Sequence, residues 1–273
     1  VSRYEVGFGL TKLSTNQLAG WAESRNFPRL HGALAGTRGL ERFPGPVPAA
    51  FVAFSGTGVV KQAESAGYEE DLELAGSVFA DSMALDSPML LGLYYGDGLD
   101  GRILGLRAPG LVAAWRIRNP AEFQNHVRET LDRLNRAFDL SLFPRRISDR
   151  GGAPLFVLDS ARGSIYARLN QSQKPAVGLA GDWLLLCSNL DTLQSILQTG
   201  ISGAVNDRLK ESMHALMKED CAPPIEAASM FCWGDMPKTA EAMSKAVGII
   251  QVFLLLGPVE GVNDPADDLE AEQ

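Results

Sequence analysis

Histidine is the side chain most often used for metal binding and for acid–base catalysis near neutral pH. The three histidines of this sequence, His31, His126 and His214, are widely separated. None belongs to a closely spaced His–Glu or His–Cys ligand motif. Each is therefore expected to be a helix-surface or partly packed side chain, and the sequence predicts no metal site and no cofactor.

Cysteine is the other residue type that could act as a ligand or nucleophile. Cys187 and Cys232 lie inside apolar runs, and Cys221 precedes two prolines. This spacing resembles neither a disulfide framework nor a paired metal knuckle. We expect buried free thiols, with a bridge between Cys221 and Cys232 as the less favoured alternative.

The segment from Ser55 to Lys61 has some features of a phosphate-binding loop, because glycine lets the backbone approach an anion closely. It lacks the Gly-Lys-Ser/Thr ending of a P-loop and the third glycine of a dinucleotide-binding motif, so a structural turn is favoured. Asp97 and Asp100 also fit a hairpin turn better than a calcium loop, because the alternating oxygen ligands and the terminal Glu are missing.

Serine-nucleophile catalysis has no local motif in this chain, since neither Gly-x-Ser-x-Gly nor a convincing Ser-x-x-Lys elbow is present. A triad assembled from distant loops would leave no local pattern. We therefore assign no catalytic, cofactor-binding or metal-binding residue. The basic island of Arg145, Arg146 and Arg150 is interpreted as a solvated loop that neutralises nearby carboxylates, in preference to a site for an anionic partner.

Charge and hydropathy limit the partners of the chain. Its 25 basic and 33 acidic residues give a formal net charge of -8, which repels nucleic acid and anionic lipid. The longest apolar run, Ala246–Gly257, is shorter than the roughly 20 residues that span a bilayer, so no transmembrane segment is predicted. The N-terminus shows no signal-peptide pattern, which leaves a cytoplasmic location or an export segment that precedes this numbering.

The secondary structure that would position any site alternates between strands and helices. Residues Trp21 to Leu34 are expected to form one or two short helices, and Tyr68 to Leu85 a further helix. Met89–Tyr95 and Arg102–Leu106 are expected to pair as a hairpin across a Gly/Asp turn. The other predicted strands are Tyr4–Leu10, Ala50–Phe54, Leu111–Arg118, Leu155–Leu158, Ser164–Leu169, Ala176–Ser188 and Ala227–Trp233.

The helix after Leu111–Arg118 has the strongest pattern, with Asn119 as the predicted N-cap, Pro120 at the first position and Glu122 placed for a capping box. Its apolar stripe consists of Phe123, Val127, Leu131, Leu134 and Phe138. Further helices are predicted after Ser188, with Gly200 at the end, around Leu209–Met217, and after Asp235. The four tryptophans, Trp21, Trp115, Trp183 and Trp233, are expected in the core or on a sheet face.

Two strand–cap–Pro–helix units begin near Trp115 and Trp233, which slightly favours an internal duplication. Strands joined by hairpins, with helices sharing one apolar layer, predict an α+β fold with mainly antiparallel sheets. We divide the chain into residues 1–46 with a Gly/Pro-rich linker, a main module over 47–205, the start of a second related module over 206–256, and an acidic tail over 257–273.

From residue 47 to 256 the chain resembles a bacterial family of generally exported proteins that is described only as a domain of unknown function. The resemblance rests on the segments VAAWRIRNP, AVGLAGDWLLLCSN, DTLQSIL, LKESMHAL and AASMFCWGD. It implies repeated α+β modules and an extracytoplasmic location, and it supplies no catalytic residues.

The absence of a local catalytic motif favours a non-enzymatic interaction or scaffold protein. Its partner would be a protein or a small ligand. The alternatives are a small-ligand-binding domain that uses the concave face of a curved sheet, and a hydrolase-type enzyme whose site is assembled from distant loops. An apolar cleft without paired titratable groups would favour ligand binding, whereas a broad exposed apolar patch would favour a protein partner.

Overall fold

The computed structural model describes residues 5–25, 43–55, 88–96, 101–103, 105–138, 141–147, 154–160, 169–200, 204–217 and 230–256. Most of its strands belong to one ten-stranded sheet in which every neighbouring pair is antiparallel. The expected α+β fold with an antiparallel sheet is confirmed.

The strands of this sheet are β1 Glu5–Ser14, β2 Gln17–Arg25, β3 Ala50–Ser55, β4 Pro88–Tyr94, β7 Gly110–Arg116, β8 Leu142–Ile147, β9 Leu155–Ser160, β10 Ala176–Ala180, β11 Trp183–Cys187 and β12 Met230–Asp235. Their order is β1-β2-β12-β3-β4-β7-β11-β10-β9-β8. Two short strands, β5 Gly101–Ile103 and β6 Leu106–Ala108, form a separate hairpin.

Within the described ranges, four α-helices accompany the sheet: α1 Phe123–Phe138, α2 Leu190–Thr199, α3 Ala204–Met217 and α4 Met236–Leu256. No helix within the described residues is both long and apolar enough to cross a membrane.

The sheet has two apolar faces, because side chains of successive strand residues alternate between them. One face carries Trp115, Val177 and Leu184, which pack against Phe123 and Val127 of α1. We call it the α1 face. The opposite face, the α2 face, carries the larger cluster of buried side chains, and α2 adds Leu190, Leu193 and Ile196 to it.

Helix α1 forms as the periodicity predicts, with Phe123, Val127 and Leu131 exposed by only 1%, 3% and 4%. The side chains of the other two predicted stripe residues lie outside the described part. The predicted capping box does not form, because the Nδ2 of Asn119 donates to Glu122 Oε1 at 2.7 Å and its side chain caps no backbone N–H. Residues Pro120–Glu122 make a 3₁₀ turn before α1 begins.

The predicted strand Ala176–Ser188 is divided into β10 and β11, which pair as a hairpin whose turn contains Gly181 at a φ of 64°. The helix after it begins one residue later than predicted. Asn189, not Ser188, is the N-cap, because its side chain accepts the N–H of Thr192 at 2.8 Å. Gly200 is the C-cap as expected, with a φ of 68°.

Three predictions of local structure are wrong. Trp21 lies in strand β2, which pairs with β1 and β12, and not in a short helix. The strand β4 pairs with β3 and β7, so the predicted hairpin between Met89–Tyr95 and Arg102–Leu106 does not exist. Arg145 and Arg146 lie in edge strand β8 and not in a loop. In each case the observed structure depends on pairing with another strand, which the local sequence pattern does not reveal.

The two strand–helix units differ in how they use their tryptophans. Trp115 of β7 faces α1, whereas Trp233 of β12 lies on the α2 face with Phe51. Helix α4 instead packs Ala242 against Ala49 and Tyr95 beside the end of β4. The predicted helix at 68–85 and the predicted strand Ser164–Leu169 lie outside the described residues, apart from Leu169 itself.

Candidate functional site

A cleft of about 840 Å³ lies on the α1 face, beside α1. Its floor is formed by seven adjacent strands, from β3 across β4, β7, β11, β10 and β9 to β8. Because neighbouring strands are about 4.8 Å apart, these six steps extend roughly 29 Å along the sheet. The cleft is therefore long, and its open part lies to one side of helix α1.

Helix α1 supplies the wall of the cleft through Val127, Thr130 and Leu131. The end of this wall is held to β8 by Asn135, whose Nδ2 donates to the carbonyl oxygen of Leu142 at 2.6 Å. The backbone N–H of Leu142 donates back to Asn135 Oδ1 at 3.0 Å. This pair of hydrogen bonds fixes the distance between the helix and the floor.

The floor is aliphatic at the end formed by β3, β4 and β7. Leu91 and Leu111 are 42% and 58% exposed although they lie in interior strands. Ala113 lies between Leu91 and Leu186 in the ladder, and its small side chain leaves space there. Leu91, Leu111 and Ala113 therefore form an uncovered aliphatic floor at this end of the cleft.

The hydroxyl groups of the cleft lie mainly at the opposite end. Ser141 and Ser160 belong to the β8 and β9 side, where Leu142 pairs with Ser160, and Thr130 lines the α1 wall. Ser188 lies between the two ends, and its Oγ accepts the N–H of Leu111 at 3.0 Å. The cleft thus has an aliphatic end and an end with hydrogen-bonding groups.

No described residue of the lining carries a charge. Lys174 precedes the lining residue Pro175, and its Nζ donates to Asp159 Oδ1 at 2.6 Å. Among the described residues, no group of three or more His, Cys, Asp or Glu side chains is arranged to hold a metal ion. The described cleft therefore presents neither a counter-charge for an ionic ligand nor a pair of acid–base groups.

Cys187 lines the cleft, and its side chain belongs to the buried cluster of the α2 face beneath it. Burial raises the pKa of this thiol well above its ordinary range, which keeps it protonated and unreactive. Cys187 is a free thiol and is buried as predicted, whereas Cys232 is only half-buried. Cys221 lies outside the described residues.

The other residues weighed in the sequence do not assemble around the cleft. His126 is half-buried on α1, next to the lining residue Val127. Residue His31, the loop after Ser55, and the pair Asp97 and Asp100 lie outside the described part, as does the side chain of His214. Trp183 and Trp233 are buried on the α2 face, and Trp115 is buried on the α1 face and lines the cleft.

Sequence reasoning assigned no site residues and did not locate the cleft. The alternation of Leu111, Ala113 and Trp115 on one face of β7 was a visible signal. It could not show that the face is only partly covered, because that depends on where α1 lies relative to β3 and β4.

Comparison of the chain with protein-family models, with curated proteins and with solved structures finds no match. The resemblance to exported proteins therefore stays a prediction.

Proposed function

We propose that this protein binds an elongated, uncharged, mainly aliphatic molecule in the cleft beside α1, and that it acts by binding and not by catalysis. The single observation that supports this is a cleft of about 840 Å³ whose described lining is almost entirely apolar and contains no charged residue. Small-molecule sites typically have volumes of roughly 300–1,000 Å³ and apolar walls with a few polar groups.

The distribution of polar groups defines the ligand further. An aliphatic chain would lie along Leu91, Leu111 and Ala113, and a hydrogen-bonding end group would lie near Thr130 and Ser160. An ionised end group would lose its hydration in this cleft without gaining a counter-charge, which is costly. A long-chain alcohol, ester or amide fits this description better than a fatty-acid anion.

The extracytoplasmic location that the family resemblance implies is part of the same proposal. A poorly soluble aliphatic molecule needs a binding protein where it must cross an aqueous space, either between two membranes or from the medium to the cell surface. No catalytic step is included, because the described cleft offers no acid–base pair for one.

The first test is binding of the uncharged dye Nile red, measured by its fluorescence, with decanol and decanoate as competitors. We expect decanol to displace the dye at lower concentration than decanoate at neutral pH. The absence of saturable dye binding would refute the proposed function. Stronger competition by decanoate would refute only the uncharged character of the ligand.

A matched pair of variants locates the binding. Leu111→Gln places a polar group on the cleft floor at an exposed position, so the fold should tolerate it, and we expect dye binding about tenfold weaker. Leu106→Gln is the control, because Leu106 is 45% exposed and lies outside the lining. Equal affinities for the two variants would mean that the dye binds elsewhere.

A further inference from the structure

Helix α4 carries an apolar stripe on its solvent-exposed side. The stripe consists of Met236, Ala240, Met243 and Val247. Met236, Met243 and Val247 are 43%, 56% and 49% exposed, and Ala240 is also exposed. The sequence pattern places Ala240, Met243 and Val247 on the apolar face of this helix, and the structure exposes that face to solvent.

The stripe is not the face that attaches α4 to the rest of the protein. That attachment uses Ala242, which is fully buried, and Ile249, which is 8% exposed. It also uses Glu241, whose Oε1 accepts the hydroxyl of Tyr95 at 3.0 Å. Since the helix is already anchored on one side, the exposed stripe is a second apolar face with no partner among the described residues.

The spacing of the stripe is that of a helix–helix seam. Its residues recur at intervals of four, three and four, which is the alternation of d and a positions in a heptad repeat. The sequence continues the same spacing at Ile250 and Leu254. The helix of 21 residues is therefore long enough for about three heptads.

The positions that flank the seam are uncharged: Thr239, Ser244, Ala246 and Gln251. In coiled coils, charges at these positions select a partner and repel the wrong ones. The charged residues Lys238, Glu241 and Lys245 lie off the seam. In a chain with a net charge of -8, a surface without charge is where two copies can approach each other with the least repulsion.

We propose that two copies of this protein associate through the α4 stripe, related by a twofold axis. A twofold interface places the same patch on both partners, which a continuous apolar stripe without selecting charges allows. The association does not depend on ligand binding in the cleft.

Sedimentation velocity over a wide range of protein concentration tests this association. We expect a reversible monomer–dimer equilibrium for the full chain, with the dimer weakened by more than about tenfold in Met243→Glu, which places a charge in the seam. Lys245→Glu is the matched control, because it makes the chain more acidic on the same helix but off the seam, and its dimer should persist. A chain that is monomeric at all concentrations, or a dimer equally weakened by both substitutions, would overturn the proposal.

Methionine oxidation gives a second measurement that needs no variant. Hydrogen peroxide converts exposed methionines to sulfoxide, and mass spectrometry reports the extent at each position. We expect Met243 to be oxidised in dilute protein and protected in concentrated protein, while Met89, which is 9% exposed, is protected in both. A concentration-independent rate at Met243 would show that the stripe is not the interface.

Discussion

Lys174 is a buried cation, with only 8% of its side chain exposed. The pKa of Asp159 is lowered mainly by the hydrogen bond that it accepts from Lys174 Nζ, and burial of the carboxyl group opposes this effect. The hydrogen bond from the Ser160 N–H and the positive charges of Lys174 and Arg145 lower the pKa further. Because the folded pKa lies below the ordinary value of 3.8, the ionised carboxylate stabilises the fold above that pH. This stability is lost as pH falls through the lowered pKa.

We expect Asp159→Asn to destabilise the protein by about 3 kcal/mol near neutral pH, because Lys174 would be left buried without its counter-ion. The difference from wild type should shrink in acid, where the wild-type carboxyl is itself protonated. Urea midpoints measured at neutral pH and below the lowered pKa provide the measurement. Glu129→Gln, on the exposed side of α1, is the control, and a difference that stays constant with pH would contradict the role of this ion pair.

Some single-residue roles were visible in the sequence. Arg145 was expected to neutralise a carboxylate, and its Nε lies 3.5 Å from Asp159 Oδ2, which confirms that role. The partner itself was not predictable, because it lies in the neighbouring strand β9 and Lys174 lies 15 residues further along the chain. A local sequence pattern contains no information about which strand will be the neighbour.

At the scale of elements, α1 was predicted because its signal, the periodicity of apolar residues, is local. The segment Ala176–Ser188 was predicted to be extended, and the structure divides it at Gly181 and Asp182 into the paired strands β10 and β11. Strand β8 was missed because Pro144 and two arginines interrupt its alternation. Such residues are typical of an edge strand, where they discourage pairing with another chain.

Helix α1 is the element whose packing can be tested most directly. Leu131→Ala should destabilise the protein by about 2–5 kcal/mol, because Leu131 is 4% exposed and packs on the α1 face. Glu129→Ala is the control on the exposed side, and its effect should stay within about 0.5 kcal/mol. Thermal and urea midpoints with equal small effects at both positions would mean that the helix face is assigned wrongly.

For the whole molecule, the strand order is the property that sequence could not supply. Strand β12 lies between β2 and β3, so residues near 230 pair with residues near 20 and 50. Which of such distant segments pair with each other depends on the packing of the whole sheet, and no local sequence signal indicates it. The same pairing gives the α2 face one cluster of buried side chains, which extends across the sheet from Ala19 in β2 to Leu155 in β9.

One continuous cluster predicts one cooperative unfolding unit. Trp233 packs on Phe51, with ring centroids 5.8 Å apart. The guanidinium carbon of Arg208 lies over the Trp233 ring, 5.4 Å from its centroid. Trp233→Ala should therefore cost about 3–5 kcal/mol. In native-state hydrogen exchange, the slowest amides of β2 and of β10 should lose the same protection, although β10 lies far across the sheet from β12. If β2, β12 and β3 lost protection while β9, β10 and β11 kept it, the sheet would consist of two independently opening units despite its continuous core.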